Sequence, residues 1–331
     1  MRICFVGNVS RSFVKNDYET LKHYFDVDYI KPPKTKLEWL KYLLILPKKV
    51  RQSDLTFSWF AGCYSAFVVF FSKLFRKKSI VVVGGYDAAY LPEYCYGAFT
   101  NLKEKIPAIY IYKNANKILV VSQALKEEII KNAKVSGKTI EFLPTGFNPD
   151  YWRPSGKKEH LVLTVAGANT ILRVKIKGLE TLVRAASHIP SARFILISVT
   201  DAAKEYLEKI ASPNVEFIGY LSQKELLAYY QKAKVYTQLS LREGLPTALC
   251  EAMLCECIPV GSNAIGVQSV IGDTGYSADY GNEQATADRI QQALVSGDER
   301  GKKARERIIQ LFHENKKKER LQHLILEMTQ L

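Results

Sequence analysis

Short runs of apolar, β-prone residues alternate with helix-like amphipathic stretches along this chain, and the alternation happens twice. Residues 3–6, 27–30, 55–59, 79–83, 117–121 and 140–143 read as strands, with helix-like segments such as 17–25, 64–75 and 123–133 between them. The pattern restarts with strands at 161–166, 193–199, 215–218, 235–238 and 258–260, and helices at 178–188, 202–210, 223–231 and 247–254. A strand that is apolar at every position has both faces buried. Such strands, separated by helices, predict a parallel sheet covered on both sides. The expected class is α/β with two doubly wound halves.

Between the halves lies the densest turn cluster of the chain, Pro144-Thr145-Gly146-Phe147-Asn148-Pro149 followed by Trp152-Arg153-Pro154-Ser155-Gly156. Proline and glycine at this density mark a linker. The expected domains are therefore residues 1–150 and 151–331, which suits a length of 331 residues, too long for one comfortable core. The tail 284–331 reads as lysine-rich helices only and is assigned to the second domain. Two such halves place their ligand site where the carboxyl ends of the sheets face one another across a cleft.

Formal net charge is +14, and residues 1–150 contribute most of it, with 23 Lys/Arg against 13 Asp/Glu. A basic half implies an anionic neighbour, a phosphorylated substrate, an acidic membrane surface or nucleic acid, or else a lysine-rich solvated face. Six cysteines, at 4, 63, 95, 250, 255 and 257, form no CxxC pair and read as reduced thiols of a cytoplasmic protein. The start MRICFVGN reads as a strand entering a turn, because its apolar segment is too short for a signal peptide. Residues 55–72 are uncharged but divide at Ala61-Gly62, so a buried strand, a turn and a buried helix are expected rather than a membrane span. The stretch 34–51, which opens with Lys34 and closes with Arg51, mixes Trp39, Tyr42 and leucines with lysines. It reads either as an interfacial helix in peripheral contact with an anionic membrane or as a packed helix with a solvated basic face.

Two nucleotide fingerprints are missing. The first strand is followed by Gly7-Asn8-Val9-Ser10-Arg11-Ser12 rather than GxGxxG, and no Walker A spacing occurs, which disfavours a nicotinamide dehydrogenase or P-loop ATPase. The five histidines, at 23, 160, 188, 313 and 323, make no HExxH.

The densest chemical constellation is REGLPTALCEAM, residues 242–253. It begins after the strand at 235–238 and runs into a helix at Thr247, so Arg242 to Pro246 form a loop at a strand's carboxyl end, where open α/β sheets bind ligands. Pro246 suits a helix start, and free N–H groups there attract phosphate. Glu243 and Glu251 can accept hydrogen bonds from sugar hydroxyls, or they merely favour the helix N-terminus. Arg173, Lys175 and Lys177 lie on an expected strand-to-helix loop, where cations can neutralise a diphosphate, or form an exposed basic loop.

Together these residues resemble the retaining nucleotide-sugar glycosyltransferases of glycosyltransferase family 4. The matching text runs from Lys177-Gly178-Leu179-Glu180-Thr181-Leu182 through Asn214-Val215-Glu216-Phe217-Ile218-Gly219-Tyr220-Leu221, Glu243-Gly244-Leu245-Pro246 and Glu251-Ala252-Met253. It continues through Ile258-Pro259-Val260 to Gly272-Asp273-Thr274-Gly275-Tyr276, with a looser match at Val120-Val121-Ser122, Lys126 and Leu143-Pro144-Thr145-Gly146-Phe147.

The resemblance implies a GT-B fold: two Rossmann-like domains, the first binding the acceptor and the second the donor. It implies transfer of a hexose from a UDP- or GDP-linked donor to a hydroxyl of a glycan or lipid-linked glycan, with no obligatory metal, no other cofactor and no nucleic-acid partner. Glu243 would contact the donor sugar, Glu251 the ribose, and Gly244, Leu245 and Pro246 the sugar and phosphate. Arg173 and Lys177 would take the diphosphate charge, Tyr220 and Leu221 would lie near the base, and Gly7 would open a loop facing the phosphates. Where the family often carries a histidine, this chain has Gly84, in Gly84-Gly85-Tyr86-Asp87, leaving Asp87 or the Gly84-Gly85 backbone to contact the transferred sugar. The competing readings are another GT-B enzyme, a phosphorylase or epimerase, and a non-catalytic sugar-binding protein.

Overall fold

Leu161 and Leu163 enter one apolar cluster while Val162 between them enters another, and the same split separates Ile195 and Ile197 from Phe194 and Leu196. Successive side chains of a strand point to opposite faces, so both faces of these central strands are buried, which is why they carry no polar alternation. The computed structural model describes residues 1–329, in two compact units. The second unit, Phe147–His313, is built on one parallel six-stranded sheet. Its strands are β7 (Glu159–Ala168), β8 (Arg193–Val199), β9 (Val215–Ile218), β10 (Ala233–Gln238), β11 (Ile258–Ser262) and β12 (Tyr276–Ala278), ordered β12-β11-β10-β7-β8-β9.

The first unit repeats the design. β1 (Arg2–Val6), β2 (Asp26–Ile30), β3 (Leu55–Trp59), β4 (Lys78–Val83), β5 (Lys117–Val120) and β6 (Ile140–Phe142) form a parallel sheet in the order β2-β1-β3-β4-β5-β6. Helix α1 (Ser12–Tyr24) links β1 to β2. The next three links, α2 (Lys36–Gln52), α3 (Cys63–Leu74) and α4 (Leu102–Asn114), all lead in one direction across the sheet. Right-handed crossovers therefore put α2, α3 and α4 side by side on one face, with α1 on the other. These are two doubly wound parallel sheets with flanking helices and a helical C-terminal segment, as the sequence predicts.

The division of the chain differs from the expected 1–150 and 151–331. It falls after Gly146, and the last helix, α14 (Glu314–Thr329), belongs with the first unit. Three contacts hold it there. Leu321, Leu324 and Ile325 are buried, Lys317 pairs with the buried Asp17 of α1, and Arg320 reaches Glu141 of β6 at 2.7 Å. Asp17 also accepts a bond from Trp59 Nε1 at 3.0 Å, and the Lys317 ammonium lies 5.8 Å from the Trp59 ring centre. Gly146 stands where the chain leaves the first unit: a Cβ there would lie 2.7 Å from Glu314 Cα, so only glycine fits beside the returning chain. Residues 330 and 331, part of the expected helical tail, lie outside the described residues.

Two further expectations change. Residues 173–177 are not a loop but part of a short helix, α6 (Ile171–Lys177), whose first turn is capped by the Thr170 hydroxyl accepting from Arg173 N–H at 3.3 Å. Helix α3, expected to be buried, exposes Phe67, Phe70 and Leu74. All six cysteines are unpaired, four of them buried.

Candidate functional site

In the second sheet the strand order reverses between β7 and β10, since β8 and β9 extend one way and β10 begins the other side. At such a switch point the loops leaving the two strands diverge and open a crevice at their carboxyl ends. The segment after β7 carries α6, and the segment after β10 carries Leu239 to Pro246, followed by α10 (Thr247–Leu254). The two segments are held together tightly. Leu241 N–H donates to the Ile176 carbonyl at 2.8 Å. Gly178 ends α6 in the left-handed region, φ 63°, and a Cβ there would lie 2.1 Å from the Leu239 carbonyl oxygen. That position tolerates only glycine for two independent reasons, backbone angle and space.

This clamp brings Lys177 to Glu243. Their ion pair is 2.6 Å long, with the side chains 18% and 13% exposed. The same carboxylate oxygen, Oε1, accepts from the Ser240 hydroxyl at 2.7 Å and from Gln238 Nε2 at 2.9 Å, and Gln238 Nε2 also reaches the Ser240 hydroxyl oxygen at 2.8 Å. Ser240 is tied to β11 through the Ser262 hydroxyl, which donates to its carbonyl. Helix α11 (Ile265–Ile271) presses on the backbone of the same loop: a Cβ on Gly266 would lie 2.2 Å from the Glu243 carbonyl oxygen. Glu243 is thus fixed in side chain and main chain alike. Arg173 sits one turn before Lys177 on α6, so both cations lie on the same side of that helix.

Glu251 lies in the second turn of α10 and is 9% exposed. The Tyr230 hydroxyl donates to its Oε2 at 3.3 Å, yet burial dominates and pushes the carboxyl up to about 8. At neutral pH this group keeps its proton and can both donate and accept. Gly244, Leu245 and Pro246 form the turn into α10, with Pro246 at the N-cap and no side chain capping the helix. Tyr220 and Leu221 follow β9, the edge strand two places from β7, and Tyr220 is largely exposed.

The remaining sequence candidates belong to the first unit. Gly7 follows β1, where a Cβ would meet Val14 and Phe5 at about 3 Å. Asp87 is buried, and both of its oxygens accept backbone N–H groups, Oδ2 from Ala61 at 2.9 Å and Oδ1 from Gly85 at 2.8 Å. Burial raises its carboxyl, and these amides pull the other way. Its geometry ties the Gly84-Gly85 turn to the β3–α3 turn. A Cβ on Gly84 would lie 2.6 Å from the Phe60 ring, so Phe60, in the left-handed region at φ 68°, fills the space a side chain at 84 would need. Arg11 lies over the Phe60 ring, its guanidinium 5.4 Å from the ring centre. Sequence reading missed Gln238, Ser240, Phe60 and Arg11. None carries a local motif: within the second unit the folded loop brings Gln238 and Ser240 to Glu243, and within the first unit Phe60 and Arg11 stand beside the Gly84 turn.

Residues 160–296 match the family described as glycosyl transferases group 1. Among characterised relatives, the serotype-specific mannosyltransferase WbdA of Escherichia coli is 23% identical over 186 residues, 49% of this chain and 22% of that protein. The O-antigen chain mannosyltransferase B of Escherichia coli is 31% identical over 80 residues, 24% of this chain and 21% of that protein. The matches thus span about a fifth of the length of these relatives. Among solved structures, Anabaena HepE in complex with UDP superposes with a TM-score of 0.77 at 15% identity, over 99% of this chain and 100% of that one. Sucrose-phosphate synthase from Thermosynechococcus elongatus superposes with a TM-score of 0.79 at 17% identity, over 99% of both chains. The fold is GT-B.

Proposed function

We propose that the chain is a retaining hexosyltransferase that takes a UDP- or GDP-linked sugar as donor and a hydroxyl of a glycan or lipid-linked glycan as acceptor. The observation that carries this reading is the convergence of Lys177, Ser240 and Gln238 on one oxygen of Glu243, at the switch point of the second sheet. Without a donor, Lys177 neutralises Glu243. An arriving diphosphate offers Lys177 two negative phosphates in exchange, and Glu243 then turns to the hydroxyls of the sugar and to the positive charge that develops at its anomeric carbon. Arg173 and the N–H groups that open α10 share the diphosphate charge, so the leaving group is stabilised by preorganised cations and dipoles. The departing phosphate oxygen takes the acceptor's proton on the same face, which preserves the anomeric configuration. Glu251 faces the ribose hydroxyls, its carboxylic acid form suited to partners that both donate and accept.

The mannosyltransferase relatives support a hexose, and the UDP complex of Anabaena HepE supports a nucleotide diphosphate. In this reading the first unit binds the acceptor, and Asp87 acts as a positioning residue that holds the Gly84-Gly85 backbone toward the transferred sugar. No metal is required, because Arg173 and Lys177 supply the charge. The test is a panel of nucleotide sugars with nucleotide release as the readout. Release from one donor, reduced at least about a hundredfold by Glu243→Ala, supports transfer; donor binding without release identifies a binding protein. Activity that persists in EDTA supports the metal-free reading, and complete loss restored by magnesium or manganese overturns it.

A further inference from the structure

The helices on one face of the first sheet present apolar side chains outward as well as inward. On α2 these are Leu37, Leu40 and Leu44, spaced three and four apart, with Leu44 72% exposed. On α3 they are Phe67, Phe70 and Leu74, at the same spacing, with Leu74 59% exposed. On α4 they are Leu102 and Ile106, 70% and 65% exposed. A helix that covers a sheet in water ordinarily turns a polar face outward. Here three neighbours break that rule together, and they are fastened side by side. Trp39 meets Phe67 edge-on at 6.0 Å between ring centres, and Lys73 Nζ donates to Asn114 Oδ1 at 2.8 Å. Contiguous exposed apolar surface of this kind marks an interaction site.

The charge on the same helices selects the occupant. α2, α3 and α4 carry nine lysines and arginines against two glutamates. Lys36, Lys41, Lys48, Lys73 and Lys103 are all exposed, interleaved with or flanking the apolar stripes. A second copy of the chain docking through this face would set the basic surface against itself. An anionic bilayer instead offers phosphates to the lysines and an acyl boundary to the leucines and phenylalanines. No helix of the described residues is long and apolar enough to cross a membrane. We infer that α2, α3 and α4 form a docking face that lies on an anionic lipid surface, with the Leu37–Leu40–Leu44, Phe67–Phe70–Leu74 and Leu102–Ile106 stripes entering the headgroup boundary. The inference stands on the surface alone and does not depend on the proposed reaction.

The test is flotation of the full chain with vesicles of phosphatidylcholine, with and without phosphatidylglycerol. The chain floats with the anionic vesicles, and added salt weakens its binding. Leu40→Ser/Leu44→Ser/Phe70→Ser lowers the partition coefficient at least about tenfold while circular dichroism stays unchanged, since each side chain removed is exposed. Lys41→Glu/Lys48→Glu lowers it on anionic vesicles without removing any apolar group. Absence of flotation, or flotation indifferent to both sets of substitutions, overturns the inference. So does a dimer in solution that Leu44→Glu splits and that binds no vesicle, because the face then belongs to a second copy. Nucleotide release in the absence of vesicles reads the proposed reaction separately.

Discussion

Glutamine in place of Glu251 should change how stability depends on pH, and the sign follows from where the carboxyl sits. In the folded chain it is 9% exposed, and burial moves it from the ordinary 4.5 to about 8. Below pH 4.5 folded and unfolded chains both hold the proton, and the group contributes nothing. Between 4.5 and about 8 the unfolded chain ionises while the folded chain keeps its proton, so stability falls as pH rises. Above about 8 both are ionised and the loss is complete. Each pH unit in that window costs up to about 1.4 kcal/mol, so the full penalty is on the order of 5 kcal/mol as an upper bound. Glutamine fills nearly the same volume, keeps an acceptor for the Tyr230 hydroxyl and does not titrate. Urea denaturation of both proteins through the window gives the measurement. The variant gains on the wild type as pH rises, by up to about 1.4 kcal/mol per unit. A difference that stays flat with pH, or that grows in favour of the wild type, would show Glu251 ionised in the folded chain and refute the reasoning.

Lys177→Met removes the cation that holds Glu243 and is assigned to the diphosphate. It lowers kcat for nucleotide release by about a hundredfold or more, and Lys177→Arg recovers part of the loss. Gly178→Ala forces a Cβ to 2.1 Å from the Leu239 carbonyl oxygen at a φ of 63°. It costs more than about 2 kcal/mol, seen as a lowered Tm, and an unchanged Tm refutes the clamp between the two loops. Lys317→Met leaves Asp17 buried without its cation and destabilises by about 3 kcal/mol. Adding Asp17→Asn restores most of that, and simple additivity in chemical denaturation would show that the pair is not coupled.

Strands were the most legible feature because their environment is uniform. β3, β8 and β9 occupy the residues predicted for them. β3 and β8 are buried at nearly every position, as central strands covered on both faces are, while β9 is a partly exposed edge strand with Glu216 in solvent. Helix α4, with Pro107 inside it and a lysine-bearing first turn, shows little helical periodicity in its sequence. Helix α6 looked like a loop because seven residues with three cations show too little periodicity to read. Glu243, Lys177 and Gly178 were legible as a group because each stands at a strand end or helix end with a chemical reason to be there. Gln238 and Ser240 were not, as their role depends on a loop conformation that Gly178 and Gly266 permit.

Sequence alone determined the two parallel sheets, because continuous apolar runs alternating with helices bury their surface in few other ways. It also placed Glu243 after β10 and Lys177 after β7, where the structure has them. Tertiary structure decided the rest. It returned α14 to the first unit, through an Asp17–Lys317 pair whose members lie 300 residues apart in sequence. It gave the Asp87 carboxylate to two backbone amides, and it set Phe60 where a side chain at 84 would stand. It also left three neighbouring helices apolar on their outer side, which a single helix pattern cannot reveal, because hydrophobic periodicity says how wide an apolar stripe is and not whether anything covers it.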